Sequence, residues 1–164
     1  MADNLVKYLS WKRTRAMYAN QAKEDGPSVA AVTLMVNGGR RALEDADMSR
    51  NMVEVLEEIS RNSPFELLAY SLLPDHLNLL LMARSPEASV KRFITEIRAR
   101  TTKAYHDGGG KGRLWQEYFF DHPLSRGENL SLAAQKVYLV PVEKGLVKRP
   151  GEWPFAWMAT KMPW

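Results

Sequence analysis

His76 and Asn78 stand two residues apart at the head of a run that reads HLNLLLMAR. An imidazole and an amide carry lone pairs that a metal ion or a proton can use. Alternation of side chains along a β-strand puts both on one face, followed by Leu80 and Met82. Leu77, Leu79 and Leu81 make the opposite face purely hydrocarbon. Burying polar groups without partners costs about 1–3 kcal/mol each, so the pair requires an explanation. One explanation is structural: a histidine satisfied by a neighbouring carbonyl and an asparagine that caps a turn. The other is a pair of ligands, or what is left of one, at the mouth of a site.

The elements that position the pair follow from pattern. Phe65 to Leu73 and His76 to Arg84 are apolar runs of strand length, and Pro74-Asp75 between them presets a tight turn, giving an antiparallel hairpin. Val29 to Val36 reads as a buried strand closed by Asn37-Gly38-Gly39. After Asp47, the residues Met48, Met52, Leu56 and Ile59 recur at helical spacing, and the helix ends near Asn62 and Pro64. Ser85-Pro86-Glu87 is the expected start of a second helix. Its buried stripe is Val90, Phe93, Ile94, Ile97 and Ala104, beside a polar and mostly cationic stripe of Lys91, Thr95, Arg98 and Thr102. Asp107-Gly108-Gly109-Gly110 ends it. Arg113 to Phe120 is the expected fourth strand.

Strand, helix, strand, strand, helix, strand is a split βαβ, ferredoxin-like α+β arrangement, a four-stranded antiparallel sheet with two helices on one face. The other face carries His76 and Asn78. An extra C-terminal helix from about Glu128, with Leu130, Ala133, Ala134 and Val137 as its apolar side, can cover part of that face until Pro141 interrupts it. The chain divides into a basic N-terminal arm (1–27), with Tyr8, Trp11 and Tyr18 among its bases, the ferredoxin-like core (28–125), and a C-terminal helix with a tail containing Trp153, Trp157 and Trp164 (126–164) of the same single domain.

Composition narrows the classes. The 164 residues carry a net charge of +4 and no cysteine, which removes disulfides and thiolate metal sites. No apolar run is long enough for a bilayer, and the first thirty residues lack a signal peptide's apolar segment, so the expectation is a cytoplasmic protein without a membrane partner. Charge is segregated. Acids dominate from Ala42 to Glu66 and bases from Arg84 to Arg113, the footprint of a face that meets phosphates. Arg92, Arg98, Lys103, Lys111 and Arg113 are the candidate contacts.

Four pieces in order, LLPDHLNLLL, RLWQEYFF, VYLVPVEKGLV and EWPFAW, resemble the single-tyrosine HUH transposases, most closely the REP-associated tyrosine transposases, over roughly Val29 to Ala159. The resemblance implies the same ferredoxin-like fold and a single-stranded or hairpin DNA partner. It also implies two histidines, separated by one apolar residue, that hold magnesium or manganese while a helix tyrosine attacks the scissile phosphate. Carried over, the first histidine is His76, the spacer Leu77 and the second histidine position Asn78, a vestigial or weak ligand. The family's Tyr-Ile-x-x-Asn-Pro-Val aligns its Pro-Val with Pro141-Val142, which puts Lys136 at the nucleophile position and Val140 at the asparagine. Three of these four catalytic positions have departed, and loss of a nucleophile alone lowers rates by about 10⁴ to 10⁶.

The expectation is a transposase-like DNA-binding protein without strand cleavage and with no cofactor requirement, Lys136 neutralising a phosphate instead of attacking it. Two alternatives stand beside it. One is an active nickase that uses magnesium or manganese and Tyr138, which lies about 200° around a helix from Lys136. The other is a protein-interaction partner of an active relative. Sheet edges can pair between chains, and a homodimer is compatible with all three readings.

Overall fold

The structure, a computed structural model, describes residues 28–125 and 127–162; the N-terminal arm with Trp11, and Trp164, lie outside the described residues. The chain order is β1 (Val29–Met35), α1 (Ala46–Arg61), β2 (Phe65–Leu72), β3 (His76–Ala83), α2 (Val90–Asp107), β4 (Phe120–Pro123), α3 (Leu130–Tyr138), a short α4 (Val140–Glu143) and β5 (Ala156–Met158). The sheet is antiparallel in the order β4-β1-β3-β2-β5. The first four strands and two helices are the expected ferredoxin-like α+β unit. β3, with its all-leucine face, is central.

The two faces bury different sets. Val32, Leu34, Leu77, Leu79 and Leu81 pack with Met52, Leu56 and Ile59 of α1 and with Phe93, Ile94 and Ile97 of α2. On the other face Leu80, Met82, Val29 and Leu68 pack with Leu130, Ala134 and Val137 of α3. The alternation in β3 thus serves two cores at once. Ala69 joins Leu68 in the second because the β2–β3 register shifts between Leu67 and Ala69. Such a shift inserts one extra residue and moves the next side chain to the other face.

Caps fix the helix starts. Asp45 accepts from the backbone N–H of Met48 at 2.9 Å and starts α1. The second helix starts later than its sequence suggests. Ser89, not Ser85, accepts from the Arg92 N–H, while Ser85 to Ala88 closes into a turn with the Ala88 N–H donating to the Ser85 carbonyl at 3.2 Å. Pro86 suits the second position of such a turn as well as it suits a first helical residue, so sequence alone does not separate the two.

The fourth strand also moves. Only Phe120–Pro123 forms a continuous ladder with β1, and Trp115 makes an isolated bridge to Val36. Between the pairs Thr33–Phe120 and Val36–Trp115, two more residues lie on the β4 side than on β1, so the chain bulges at 116–119. The cause is Trp115, buried beside Leu114, whose indole N–H donates to Thr101 Oγ1 of α2 at 2.8 Å. Consecutive buried residues break strand alternation, and the surplus chain loops out.

The fifth strand comes from the Trp-rich tail. Ala156–Met158 pairs with β2, Trp157 stacks on Tyr70 at 6.2 Å, and the Trp153 indole donates to the Leu72 carbonyl at 2.8 Å. Two prolines and a glycine hid it among turn signals in the sequence. No helix among the described residues is long and apolar enough to cross a membrane.

Candidate functional site

α3 covers only part of the second sheet face. Where it stops, a cleft of about 420 Å³ opens over the start of β3. Its floor is Thr33, Met35, His76, Asn78 and Phe120, and the hairpin contributes Leu73, Pro74 and Asp75. Its wall is Val140, Glu143, Lys144 and Leu146 from α4 and the residues after it, with Arg41 at the rim. His76 and Asn78 therefore do face a cleft together, as their spacing predicts. Cross-strand pairing brings Met35 opposite His76 and Thr33 opposite Asn78.

Each polar group on the floor has a partner. His76 Nδ1 lies 2.7 Å from Asp75 Oδ1, which orients the ring. Thr33 Oγ1 donates to Asn78 Oδ1 at 2.8 Å, and Asn78 Nδ2 donates to Ser71 Oγ at 3.2 Å. These two bonds run as a polar ladder across β1, β3 and β2. Ser71 is fully buried, so the ladder satisfies groups that would otherwise be stranded in the sheet. A divalent ion here would be offered one imidazole nitrogen, an amide oxygen already engaged by a hydroxyl, and the separate carboxylates of Asp75 and Glu143 in the cleft lining. No group of three or more His, Asp or Glu residues among the described residues could hold it. The donor set does not fit such an ion.

The C-terminal helices sort the other candidates. Asn129 caps α3, whose buried side is Leu130, Ala134 and Val137. Lys136 is exposed and does not line the cleft. Tyr138 is half-buried, with its hydroxyl 3.5 Å from where a Cβ on Gly151 would lie, and it too is absent from the cleft wall. Val140 does line it and presents hydrocarbon where the resemblance places an asparagine. The proline that interrupts α3 sits in the first turn of α4 and redirects the chain, which brings Glu143 and Lys144 into the wall. Sequence reading missed these two and Arg41. The available signal was Pro141 as a helix start and not only as a helix end.

The basic candidates are dispersed over α2 and the turn after it. Arg92, Lys111 and Arg113 are exposed. Lys103 is exposed and paired with Asp107 at 2.6 Å. Arg98 lies against Phe119, its guanidinium carbon 5.4 Å from the ring centroid. Burial holds its pKa below the usual arginine value, the neighbouring Arg113 pushes the same way, and Glu117 opposes them. The six proposed contacts therefore do not gather in one place: Lys136 belongs to α3, on the other side of the sheet from α2.

A family model described as "Transposase IS200 like" matches residues 29–131. The chain belongs to the IS200-like transposase family. The REP-associated tyrosine transposase of Escherichia coli (strain K12) is 26% identical over 99 residues, which are 60% of this chain and 58% of that relative. A putative REP-associated tyrosine transposase of Haemophilus influenzae is 26% identical over 103 residues, 57% of this chain and 58% of that relative. The matches thus span just over half the length of these relatives. Among solved structures, a REP-associated tyrosine transposase bound to a REP hairpin superposes with a TM-score of 0.63 at 23% identity, covering 79% of this chain and 75% of that one. This likeness confirms the fold of this IS200-like chain, with β5 as an addition to the expected four strands.

Proposed function

We propose that this protein is a transposase-like DNA-binding protein of the cytoplasm that engages single-stranded or hairpin DNA without cutting it. The observation that carries the reading is the Thr33–Asn78–Ser71 ladder. The position where the family resemblance puts a metal-binding histidine holds an amide whose two ends are committed to neighbouring strands. A cleft that keeps the family scaffold but spends its ligand position on a strand tie is suited to hold nucleic acid and poorly suited to activate a phosphate. Lys136, exposed on α3 outside the cleft, supports the same reading, since the position that the resemblance gives to a tyrosine holds an ammonium, which binds phosphate and does not attack it. The relatives' names and the hairpin in the similar solved structure point to the DNA class.

One incubation tests it. The protein is mixed with a labelled single strand containing a hairpin, in the presence of manganese, and run on a native and a denaturing gel. A shift with no covalent adduct is expected. A covalent adduct would overturn the non-cutting reading, and its loss in Tyr138→Phe would identify the nucleophile. Absence of any shift at low salt, with single strand, hairpin or duplex, would overturn DNA binding itself and favour a role in protein interaction.

A further inference from the structure

We propose that Arg40, Arg98 and Arg113 form a phosphodiester site on the sheet end beside the cleft. Its ligand is the single strand that leaves the cleft over the connection between β1 and α1. The inference rests on the DNA-binding reading above.

Three elements contribute the three arginines. Arg40, from the β1–α1 connection, donates through Nη2 to the Arg113 carbonyl at 2.7 Å and through Nε to the Asn37 carbonyl at 3.2 Å. Carbonyl partners fix the side chain without neutralising it. Arg113 follows the glycine turn after α2 and is near enough to Arg98 to disfavour its charge. Arg98 reaches out from the middle of α2 and lies over Phe119 in the 116–119 bulge.

Arg98 is the anomaly that asks for a ligand. Its Nε and Nη2 are buried and have no hydrogen-bond partner among the described residues. Its neighbours on the same helix are treated differently: Arg100 pairs with Glu58 at 3.1 Å, and Lys103 pairs with Asp107. An arginine cannot shed its proton to escape this situation, so the penalty of a desolvated charge beside a second cation persists in the free protein. An arriving phosphate at the open side of the pair relieves the repulsion between Arg98 and Arg113. Its oxygens match the guanidinium fork, and the Phe119 ring holds the fork in place. Glu117 is the nearby acid that acts on Arg98, and it is exposed at the outer side of the bulge.

Continuity with the cleft comes from adjacent residues. Arg41 lines the cleft rim while Arg40 holds Arg113, so consecutive arginines serve the two sides of one connection. A strand crossing that connection passes from one to the other.

The test compares affinities of wild type, Arg113→Ala and Arg98→Met for a hairpin oligonucleotide with and without a single-stranded extension, each across a salt series. With the extension, each variant is expected to bind about tenfold more weakly, and the slope of log affinity against log salt should fall by about 0.7, the value for one single-strand phosphate contact. Without the extension, affinities should agree with wild type within about twofold. Arg98→Met should melt no lower than wild type, because it removes a desolvated charge and keeps the contact with Phe119. Should that variant fail to fold, Arg113→Ala, an exposed position, decides alone. Unchanged affinity and slope in a wild-type background that does bind would overturn this site and leave the DNA-binding reading standing. Equal losses with and without the extension would overturn the assignment to the single strand. A wild type that binds neither oligonucleotide would overturn both readings.

Discussion

The two faces of the sheet are built from the same strands yet follow different rules. The helix-covered face is a continuous hydrocarbon layer in which Leu34, Leu79, Leu81, Ile94 and Ile97 are almost fully enclosed. The opposite face is divided along each strand. Toward Met82 it is a second small core under α3, and toward His76 it is a polar floor under an open cleft. One two-residue step along β3, from Leu80 to Asn78, crosses from one regime to the other on the same face. Hydrophobic packing is non-directional and tolerates any apolar filler of the right size, whereas the floor works only if each donor meets its acceptor. The family scaffold persists in the first regime while the chemistry of the second is free to change.

Substitutions can sharpen that contrast. Leu79→Ala, in the continuous layer, should destabilise the protein by about 2–5 kcal/mol in urea unfolding, the range for deleting a buried leucine side chain. A value below about 1 kcal/mol would mean that the helix-side layer is loosely packed and the contrast unfounded. Asn78→Ala, on the polar floor, should cost about 1–3 kcal/mol by leaving Thr33 and Ser71 unpaired. It should leave hairpin binding within about threefold if the ladder is structural, because one neutral hydrogen bond lost to DNA is of that order. A much larger loss of binding would make Asn78 a contact and not a tie. Trp115→Phe should cost about 1 kcal/mol by removing the bond to Thr101 that sets the bulge.

Tyr70 provides a pH test at the margin of the helix layer. Its phenol donates to Glu57 at 3.3 Å, and burial first, then the Glu57 charge and that hydrogen bond, raise its pKa above the usual tyrosine value of 10.0. The neutral form is favoured in the folded chain, so its contribution to stability is fully present below pH 10 and is lost as pH rises above it. Thermal melts of wild type should decline above that pH more steeply than those of Tyr70→Phe. The smallest effect belongs to Arg100→Ala. Its exposed pairs with Glu58 and Glu96 should be worth about 0–1 kcal/mol, and the salt slope of DNA binding should not change.

Much of this molecule was legible in its residues. The alternation in HLNLLLMAR determined that β3 is central and that His76 and Asn78 share a face, because a strand has only one way to place successive side chains. Helical spacing determined the buried stripes of α1 and α2, and the order of elements determined the ferredoxin-like unit. What the sequence left open is whatever depends on which distant groups meet. Trp115 finding Thr101 across 14 positions set the true start of β4, and Tyr70 meeting Trp157 made a strand of the tail. Thr33 reaching Asn78 from 45 positions away tied the candidate ligand to the neighbouring strand. Arg40 reaching Arg113 brought to the end of the basic run a cation from outside it. Local pattern acts through neighbours along the chain and can be read in order. Hydrogen bonds and charge pairs depend on distances that exist only after the sheet has closed.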